Sequence, residues 1–368
     1  MTMGCCFAER TLWHSTDAAA LFLRPGGWVQ PPAGGDTAET PETKRRFKNL
    51  PEVSDLWRKL AVETADPICG EVIRRIHPDS YLTEFKHLSD ADSGILGEES
   101  PFGHGGHEIA ARSAGPACHA MDRVLTGAWR YAHSLSRPPG HPCVPDHSMG
   151  FRLLANIPVA IKEMKVRHGL GRVAVVDRDV HHGNGTQANY RARGDVLTLL
   201  LHRNASCPVH LGTVAERGAG AGTGADINIP LLPGGGHISC PAAMDRIVLP
   251  APERFRPEPI GVASGLDANG IDPLARMMAH SGTCCAMTAR LMQAADALFS
   301  GRLVVVHEGG CSEVLFPFCG HAIMEALSGQ PTEVIDPLLC FPAARQPPPE
   351  FDALEARRLD GMARDFGL

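Results

Sequence analysis

The sequence predicts an α/β protein in which helices cover both faces of a parallel β-sheet. Continuous apolar runs of strand length recur at residues 173–176, 196–201, 260–263 and 303–306. Such runs are typical of strands buried on both faces, and the stretches between them are long enough to hold helices. This alternation favours a parallel sheet, in which the ligand site lies beyond the carboxyl ends of the strands.

Helices are predicted around these strands. Short helical patterns occur at residues 53–62 and 67–76, a long one at 109–134 and another at 153–167. Apolar side chains recur at helical spacing in the long segment. We expect it to end before the proline and glycine cluster at 137–140, since these residues interrupt helices.

Less regular segments lie towards the two ends of the chain. The basic run at 44–46 fits a solvated helix face. A glycine-rich loop at 218–224 leads into a strand-like segment at 226–230. A proline-rich link at 346–349 precedes residues 351–366, which fit a short appended helix with no assigned function.

Composition limits the class of protein. The 368 residues are 43% hydrophobic and 21% charged, which is enough to bury a substantial core. Lysine and arginine total 35 against 41 acids, so the chain is not strongly basic and we expect no nucleic-acid partner. It has no apolar window near the roughly 20 residues that cross a bilayer, and no leader pattern, so no membrane partner is expected. The twelve cysteines lack paired spacing, which predicts reduced thiols and a cytoplasmic location.

Acidic side chains follow the first of these strands. Asp177, Asp179 and His181 are spaced by two, so in an extended chain they point to one side. Carboxylates this close repel one another unless a cation compensates, and a metal ion is the economical explanation. The alternative is a helix cap beside solvated side chains.

A further acid follows the third of these strands. Asp267 comes just after residues 260–263, so it can converge with Asp179 and His181 at the same edge of the sheet. Two carboxylate oxygens, one imidazole and an open position suit a catalytic divalent ion, for which zinc is the best candidate. Zinc polarises a carbonyl and lowers the pKa of bound water to about 7.

Hydrolysis also requires a proton carrier. His141 follows a rigid turn in RPPGHP, and Asp177 is the candidate for orienting its imidazole. A solvated loop histidine is the alternative interpretation.

Six ordered segments resemble the histone deacetylase family, and most closely its bacterial class II members, the histone deacetylase-like amidohydrolases and acetylpolyamine amidohydrolases. The segments are SRPPGHP with MGF nearby, VDRDVHHGNGTQ, LLLHR, GAGAGTGADINIPLLPGG, ASGLDANGIDPL and VVVHEGG. The resemblance covers about residues 5–330. It implies the three-layer α/β/α arginase/deacetylase fold with an eight-stranded sheet, in a single catalytic domain at 1–340 followed by the link and helix at 341–368.

The resemblance also implies roles for individual residues. Asp179, His181 and Asp267 would hold a single zinc ion, and Asp177 would hydrogen-bond His141. In the acyl-lysine channel, Phe151 would form one wall, Gly150 would offer its carbonyl to the substrate amide, and Gly310 would also contact the substrate. The family binds potassium beside residues 177–181, so a potassium ion is a further expectation. The implied substrates are acyl-lysine or acetylpolyamine, and the bacterial relatives often form homo-oligomers.

Four positions depart from the family pattern. Pro142 stands where the family has a second histidine that serves as general base, and Cys311 replaces the tyrosine that donates to the oxyanion. Cys207 replaces the second aromatic wall. Arg178 replaces an apolar side chain on a buried strand, where a guanidinium without a partner costs stability.

Losing a general base removes about 10²- to 10⁴-fold in rate, and losing an oxyanion donor about 10²- to 10³-fold. We therefore expect impaired activity with an intact metal site. The alternative is a zinc-containing protein that binds acyl-lysine or polyamine without turnover. A two-metal ureohydrolase is disfavoured because Asn269 stands where the second metal needs an aspartate, and the glycine-rich loop misses the spacing of a dinucleotide site.

Overall fold

A parallel sheet forms the centre of the molecule. The structure, a computed structural model, describes residues 3–16, 20, 23–33 and 38–368. Within these residues eight strands form the sheet: β1 (Gly4–Phe7), β2 (Ala61–Glu63), β3 (Tyr131–Leu135), β4 (Val173–Asp177), β5 (Val196–Arg203), β6 (Asp226–Leu231), β7 (Ile260–Ser264) and β8 (Leu303–His307). Their order is β6-β5-β4-β7-β8-β3-β1-β2, and every neighbouring pair is parallel. The predicted fold class and strand number are confirmed.

Helices connect the strands and cover the sheet. They are α1 (Pro41–Val53), α2 (Gly70–Ile73), α3 (Asp79–Ala91), α4 (Gly106–Leu125), α5 (Asn156–His168), α6 (Asn184–Tyr190), α7 (Ser239–Ala243), α8 (Pro250–Phe255), α9 (Ser281–Leu298), α10 (Phe316–Ser328), α11 (Cys340–Ala344) and α12 (Pro349–Phe366). A π-helical turn, Met244–Val248, joins α7 to α8. No helix in the described ranges has the length and apolar content needed to cross a membrane.

Both faces of the sheet are buried. In β4, Ala174 and Val176 pack into one core, whereas Val173 and Val175 pack into the other. Helices α9, α10 and α12 contribute to the first core, and α4 and α5 to the second. This arrangement explains why the strands read as unbroken apolar runs.

The predicted long helix at 109–134 is wrong at its end. Helix α4 stops at Leu125, and residues 131–135 form β3 at an interior position of the sheet. This strand buries His133 and Ser134 among its apolar residues, so it lacks the continuous apolar run that revealed the other strands.

The short helical patterns near the N-terminus are also partly wrong. Helix α1 ends where the pattern at 53–62 begins, and residues 61–63 are β2. Of the pattern at 67–76, only α2 is α-helical. Strands β1 and β2 contain four and three residues, too few to produce a recognisable pattern.

The basic run at 44–46 is not uniformly solvated. Lys44 is buried, and its Nζ lies 2.9 Å from Glu39 Oε1. Arg137 is buried against the same carboxylate, with Nη2 2.6 Å from Oε2. Glu39 thus compensates two buried cations, a pairing that a local charge pattern does not reveal.

The C-terminal helix packs on the main core. Helix α12 begins at Pro349, and its Leu359, Met362 and Phe366 are buried in the same cluster as the strands. A domain boundary at residue 340 stays a prediction. No disulfide bond joins any of the twelve cysteines, all of which lie among the described residues.

Candidate active site

Neighbouring strands β4 and β7 bring the predicted metal ligands together. Asp179 and His181 follow β4, and Asp267 follows β7. Their ligand atoms lie within 4.8 Å of one another, which confirms the predicted convergence. We refer to Asp179, His181 and Asp267 as the triad.

Backbone groups fix the carboxylates of the triad. Asp179 Oδ2 accepts a hydrogen bond from the Gly309 N–H at 2.8 Å, and Asp267 Oδ1 accepts from Val180 at 2.9 Å. A Cβ on Gly309 would lie 2.5 Å from Asp179 Oδ2 and 2.6 Å from Asp267 Oδ2. Only glycine leaves room for both carboxylates at this position.

The electrostatics of the triad favour a cation. Burial and the neighbouring Asp179 carboxylate raise the pKa of Asp267. Burial opposes charge on His181, but its hydrogen bonds to Asp179 and Asp267 raise its pKa to about 9. Two buried carboxylates and one imidazole without thiolates fit a catalytic divalent ion such as zinc.

His141 and Asp177 form a buried pair beside the triad. Nδ1 of His141 lies 2.9 Å from Asp177 Oδ2, and its Nε2 lies 3.2 Å from Asp179 Oδ2. Burial alone would lower the pKa of His141, but the Asp177 and Asp179 carboxylates raise it to about 10. Glu308 holds the loop by accepting from the backbone N–H groups of Gly140 and His141, at 2.6 and 2.9 Å.

A cavity opens above the triad. His181 and Asp267 line it together with the four predicted substrate-binding residues, Gly150, Phe151, Cys207 and Gly310, and with Pro142 and Cys311. Gly150 and Phe151 both have left-handed φ, 56° and 69°, and their N–H groups donate to the backbone carbonyls of Glu98 and Glu99, at 2.8 and 2.7 Å. Backbone hydrogen bonds thus stabilise the unfavourable left-handed conformation of Phe151 next to the cavity.

The sequence of the whole chain agrees with this geometry. A sequence profile of the histone deacetylase domain matches residues 38–327. A histone deacetylase-like amidohydrolase from Pseudomonas aeruginosa is 53% identical over 362 residues, which cover 98% of this chain and 95% of that protein. The chain belongs to the histone deacetylase family.

More distant relatives agree. Histone deacetylase 10, chloroplastic, from Oryza sativa subsp. japonica is 34% identical over 307 residues, covering 76% of this chain and 68% of that protein. The crystal structure of the HDA15 HD domain aligns with a TM-score of 0.83 over 100% of this chain and 97% of that one. At 24% identity this last likeness supports the fold alone.

Three positions that depart from the family pattern face the cavity, and we call Pro142, Cys207 and Cys311 the substituted wall. Burial and the nearby Asp272 carboxylate raise the pKa of Cys311 to about 12, so its thiol stays protonated. The backbone N–H of Cys311 donates to Asp272 Oδ2 at 2.7 Å. Asp272 was missed by sequence reasoning, although it lies in the same motif as Asp267.

Arg178 has partners that sequence reasoning did not find. Its guanidinium donates to Ser264 Oγ at 2.9 and 3.2 Å and to Thr288 Oγ1 at 3.0 Å. These neutral acceptors satisfy hydrogen bonds without supplying a counter-charge. Burial lowers the pKa of Arg178.

The most consequential residue that sequence reasoning missed is Arg152. Its Nη2 lies 3.1 Å from His141 Nε2 and 3.5 Å from Asp179 Oδ2, and Nη1 donates to the Gly150 carbonyl. The signal was a charged residue directly after the predicted wall Phe151. The structure therefore adds a positively charged side chain to a pocket for which the sequence predicted none.

Asn269 is used by its own loop. Its Nδ2 donates to the Leu266 carbonyl at 2.6 Å, and its Oδ1 accepts from the Ile271 N–H at 3.0 Å. This amide completes a turn next to Asp267, which gives no support to a second metal site.

Proposed function

We propose that this protein is a zinc-dependent amidohydrolase that removes acyl groups from acyl-lysine or acetylpolyamine, with turnover impaired by Pro142 and Cys311. The observation that carries the proposal is the convergence of the triad, of which His181 and Asp267 line the cavity, with the buried pair of His141 and Asp177. In this proposal Asp179, His181 and Asp267 hold the metal. Bound zinc supplies carbonyl polarisation and a lowered water pKa.

The side chains of the chain supply the proton chemistry. Asp177 orients His141, whose Nε2 faces the triad and can exchange a proton with water or with the leaving amine. Against the effect of burial, the Asp177 and Asp179 carboxylates raise the pKa of His141, so at neutral pH its imidazole carries a proton to donate and is not free to accept one. Pro142 has no proton to exchange, so general-base catalysis is the step that we expect to be weakened.

Substrate positioning follows the cavity lining. The Gly150 carbonyl is available to accept from the substrate amide N–H, although Arg152 also donates to it. Phe151 offers an apolar surface to the stem of the acyl-lysine side chain, whereas Cys207 on the substituted wall widens the slot. The Cys311 thiol is a weaker donor than a tyrosine hydroxyl. Potassium beside residues 177–181, self-association and a cytoplasmic location belong to the same proposal.

Zinc analysis combined with a substrate panel tests the proposal. We expect one zinc per chain and slow hydrolysis of acetyl-lysine peptides or acetylpolyamines. Asp267→Asn should lose both zinc and hydrolysis, whereas the control Asp245→Asn, at a half-exposed aspartate paired with Arg290, should keep both. Hydrolysis by a metal-free chain, or neither zinc nor hydrolysis in the parent, would overturn it.

A binding protein without turnover is the second candidate, favoured by the positions of Pro142 and Cys311 on the cavity wall. Calorimetry with a hydroxamate that is not hydrolysed distinguishes the two functions. Binding together with measurable turnover supports the enzyme. Binding of the hydroxamate by a zinc-loaded chain that hydrolyses no member of the panel supports the binding protein.

A further inference from the structure

Arg152 is a buried cation in the pocket with an unused hydrogen-bond donor. Its side chain is 8% exposed, and Nε has no hydrogen-bond partner among the described residues. A buried donor without an acceptor destabilises the folded protein, because it has lost its hydrogen bonds to water. Arg152 also lines the cavity, so an acceptor bound there can contact its guanidinium.

The charges around Arg152 indicate the kind of acceptor. The nearest carboxylate is Asp179, at 3.5 Å, and it belongs to the triad that would hold the metal. Glu39 also lines the cavity, but Lys44 and Arg137 already compensate its charge. With a dication balancing the triad, the guanidinium of Arg152 would be left without a counter-charge, and an anionic oxygen suits it best.

We propose that Arg152 is the anion donor of this pocket, which hydrogen-bonds the acyl oxygen as it becomes negative and then the carboxylate product. The inference rests on the proposed amide hydrolysis and names a catalytic donor for it. Arg152 would supply the negative-charge stabilisation that Cys311 supplies poorly.

The chemistry of the step is simple hydrolysis. A water oxygen bonds to the acyl carbon, the C–N bond breaks, and the nitrogen takes the bond's electron pair together with both water protons, which His141 can relay, and leaves as an ammonium group. Both oxygens end in the carboxylate. Arg152 donates hydrogen bonds throughout and is neither deprotonated nor oxidised.

Arg152→Met and Arg152→Lys test the proposal, with Arg58→Met at an exposed arginine as the matched control. Calorimetry with sodium acetate measures product binding on zinc-loaded protein, and hydrolysis of an acetyl-lysine peptide separates kcat from KM. Zinc content and thermal unfolding confirm that each variant is loaded and folded.

The methionine variant should bind acetate roughly 10- to 100-fold more weakly, as expected for losing a hydrogen bond to a charged group. Its kcat should fall about 10²- to 10³-fold with little change in KM, because the interaction strengthens in the transition state. The lysine variant should have acetate affinity and kcat between those of the parent and the methionine variant, since it keeps the charge but not the planar guanidinium. Arg58→Met should match the parent.

The outcomes separate this proposal from the previous one. Unchanged acetate binding and kcat in a folded, zinc-loaded Arg152→Met protein would overturn the role of Arg152 and leave the hydrolase intact. If the parent hydrolyses nothing but its acetate binding requires Arg152, the hydrolase fails and the anion site stands. If Arg152→Met does not fold, the lysine variant decides, and its equality with the parent in both measurements would contradict the proposal.

Discussion

The triad and the substituted wall face the same cavity but are built differently. The triad follows two adjacent strands, and backbone N–H groups from Val180 and Gly309 fix its carboxylates. Pro142, Cys207 and Cys311 lie on loops at separate points around the cavity. Metal binding and proton chemistry thus depend on different supports, so the second can change while the first remains.

The largest expected effect comes from breaking the triad. His181→Ala removes the imidazole of the proposed metal site, and we expect zinc content and hydrolysis to fall to background while the fold survives. Mass spectrometry of the native protein measures the metal, and circular dichroism checks the fold. Full zinc occupancy in this variant would mean that the metal is held elsewhere.

Restoring the wall tests the other half of the comparison. Pro142→His combined with Cys311→Tyr should raise kcat by roughly 10²- to 10⁴-fold by adding a base and a donor. Zinc content should not change. Steady-state hydrolysis of an acetyl-lysine peptide measures the gain. A parent already as fast as the double variant would refute the claim of impaired turnover.

Acid should destabilise the folded protein through the buried His77, which connects the segments around Pro145 and Ala155. Burial lowers the pKa of His77 to about 4, and its ring bridges the Pro145 carbonyl and the Ala155 N–H, at 2.8 and 3.0 Å. Below pH 6.5 the unfolded chain binds a proton that the folded chain does not, so stability falls as pH falls from about 6.5 to 4.

His77→Gln can keep both hydrogen bonds without titrating. The loss of unfolding free energy over this pH range should therefore be smaller in the variant, by up to about 3 kcal/mol. Urea unfolding at several pH values measures the difference. Parallel pH profiles for the parent and the variant would exclude His77 as a source of acid sensitivity.

The smallest predicted effect concerns the hydrogen bonds between Arg178 and Ser264. Ser264→Ala removes the hydroxyl that accepts two hydrogen bonds from buried Arg178, and we expect a loss of about 2 kcal/mol in unfolding free energy. Thermal or urea unfolding measures it. Thr288→Ser, which keeps the other hydroxyl acceptor, is the control and should cost less. An unchanged Ser264→Ala would mean that Arg178 finds other acceptors.

Much of the fold could be predicted because its strands are buried on both faces. The four apolar runs lie within β4, β5, β7 and β8, and the segment at 226–230 lies within β6. Strand β3 escaped prediction because it places His133 and Ser134 in the interior. Burial of polar side chains depends on partners distant in sequence, and local periodicity does not contain that information.

The same contrast holds at the site. The convergence of Asp179, His181 and Asp267 followed from strand spacing and the geometry of parallel sheets. The position of Arg152 did not, because left-handed φ angles at Gly150 and Phe151 redirect the chain immediately before it. This change of chain direction depends on hydrogen bonds to the backbone carbonyls of Glu98 and Glu99, which lie more than fifty residues earlier in the chain.

Helix α12 has a further consequence for work with this protein. It lies against β6, which pairs with only one other strand among the described residues. Arg358 Nη2 donates to the Pro230 carbonyl at 3.2 Å, and the Leu232 N–H donates to Glu355 Oε1 at 3.4 Å. An exposed edge strand can hydrogen-bond with a strand of another chain and cause aggregation. Deleting the last twenty residues would expose the edge of β6 and the apolar core residues that α12 covers. We therefore expect the truncated protein to precipitate.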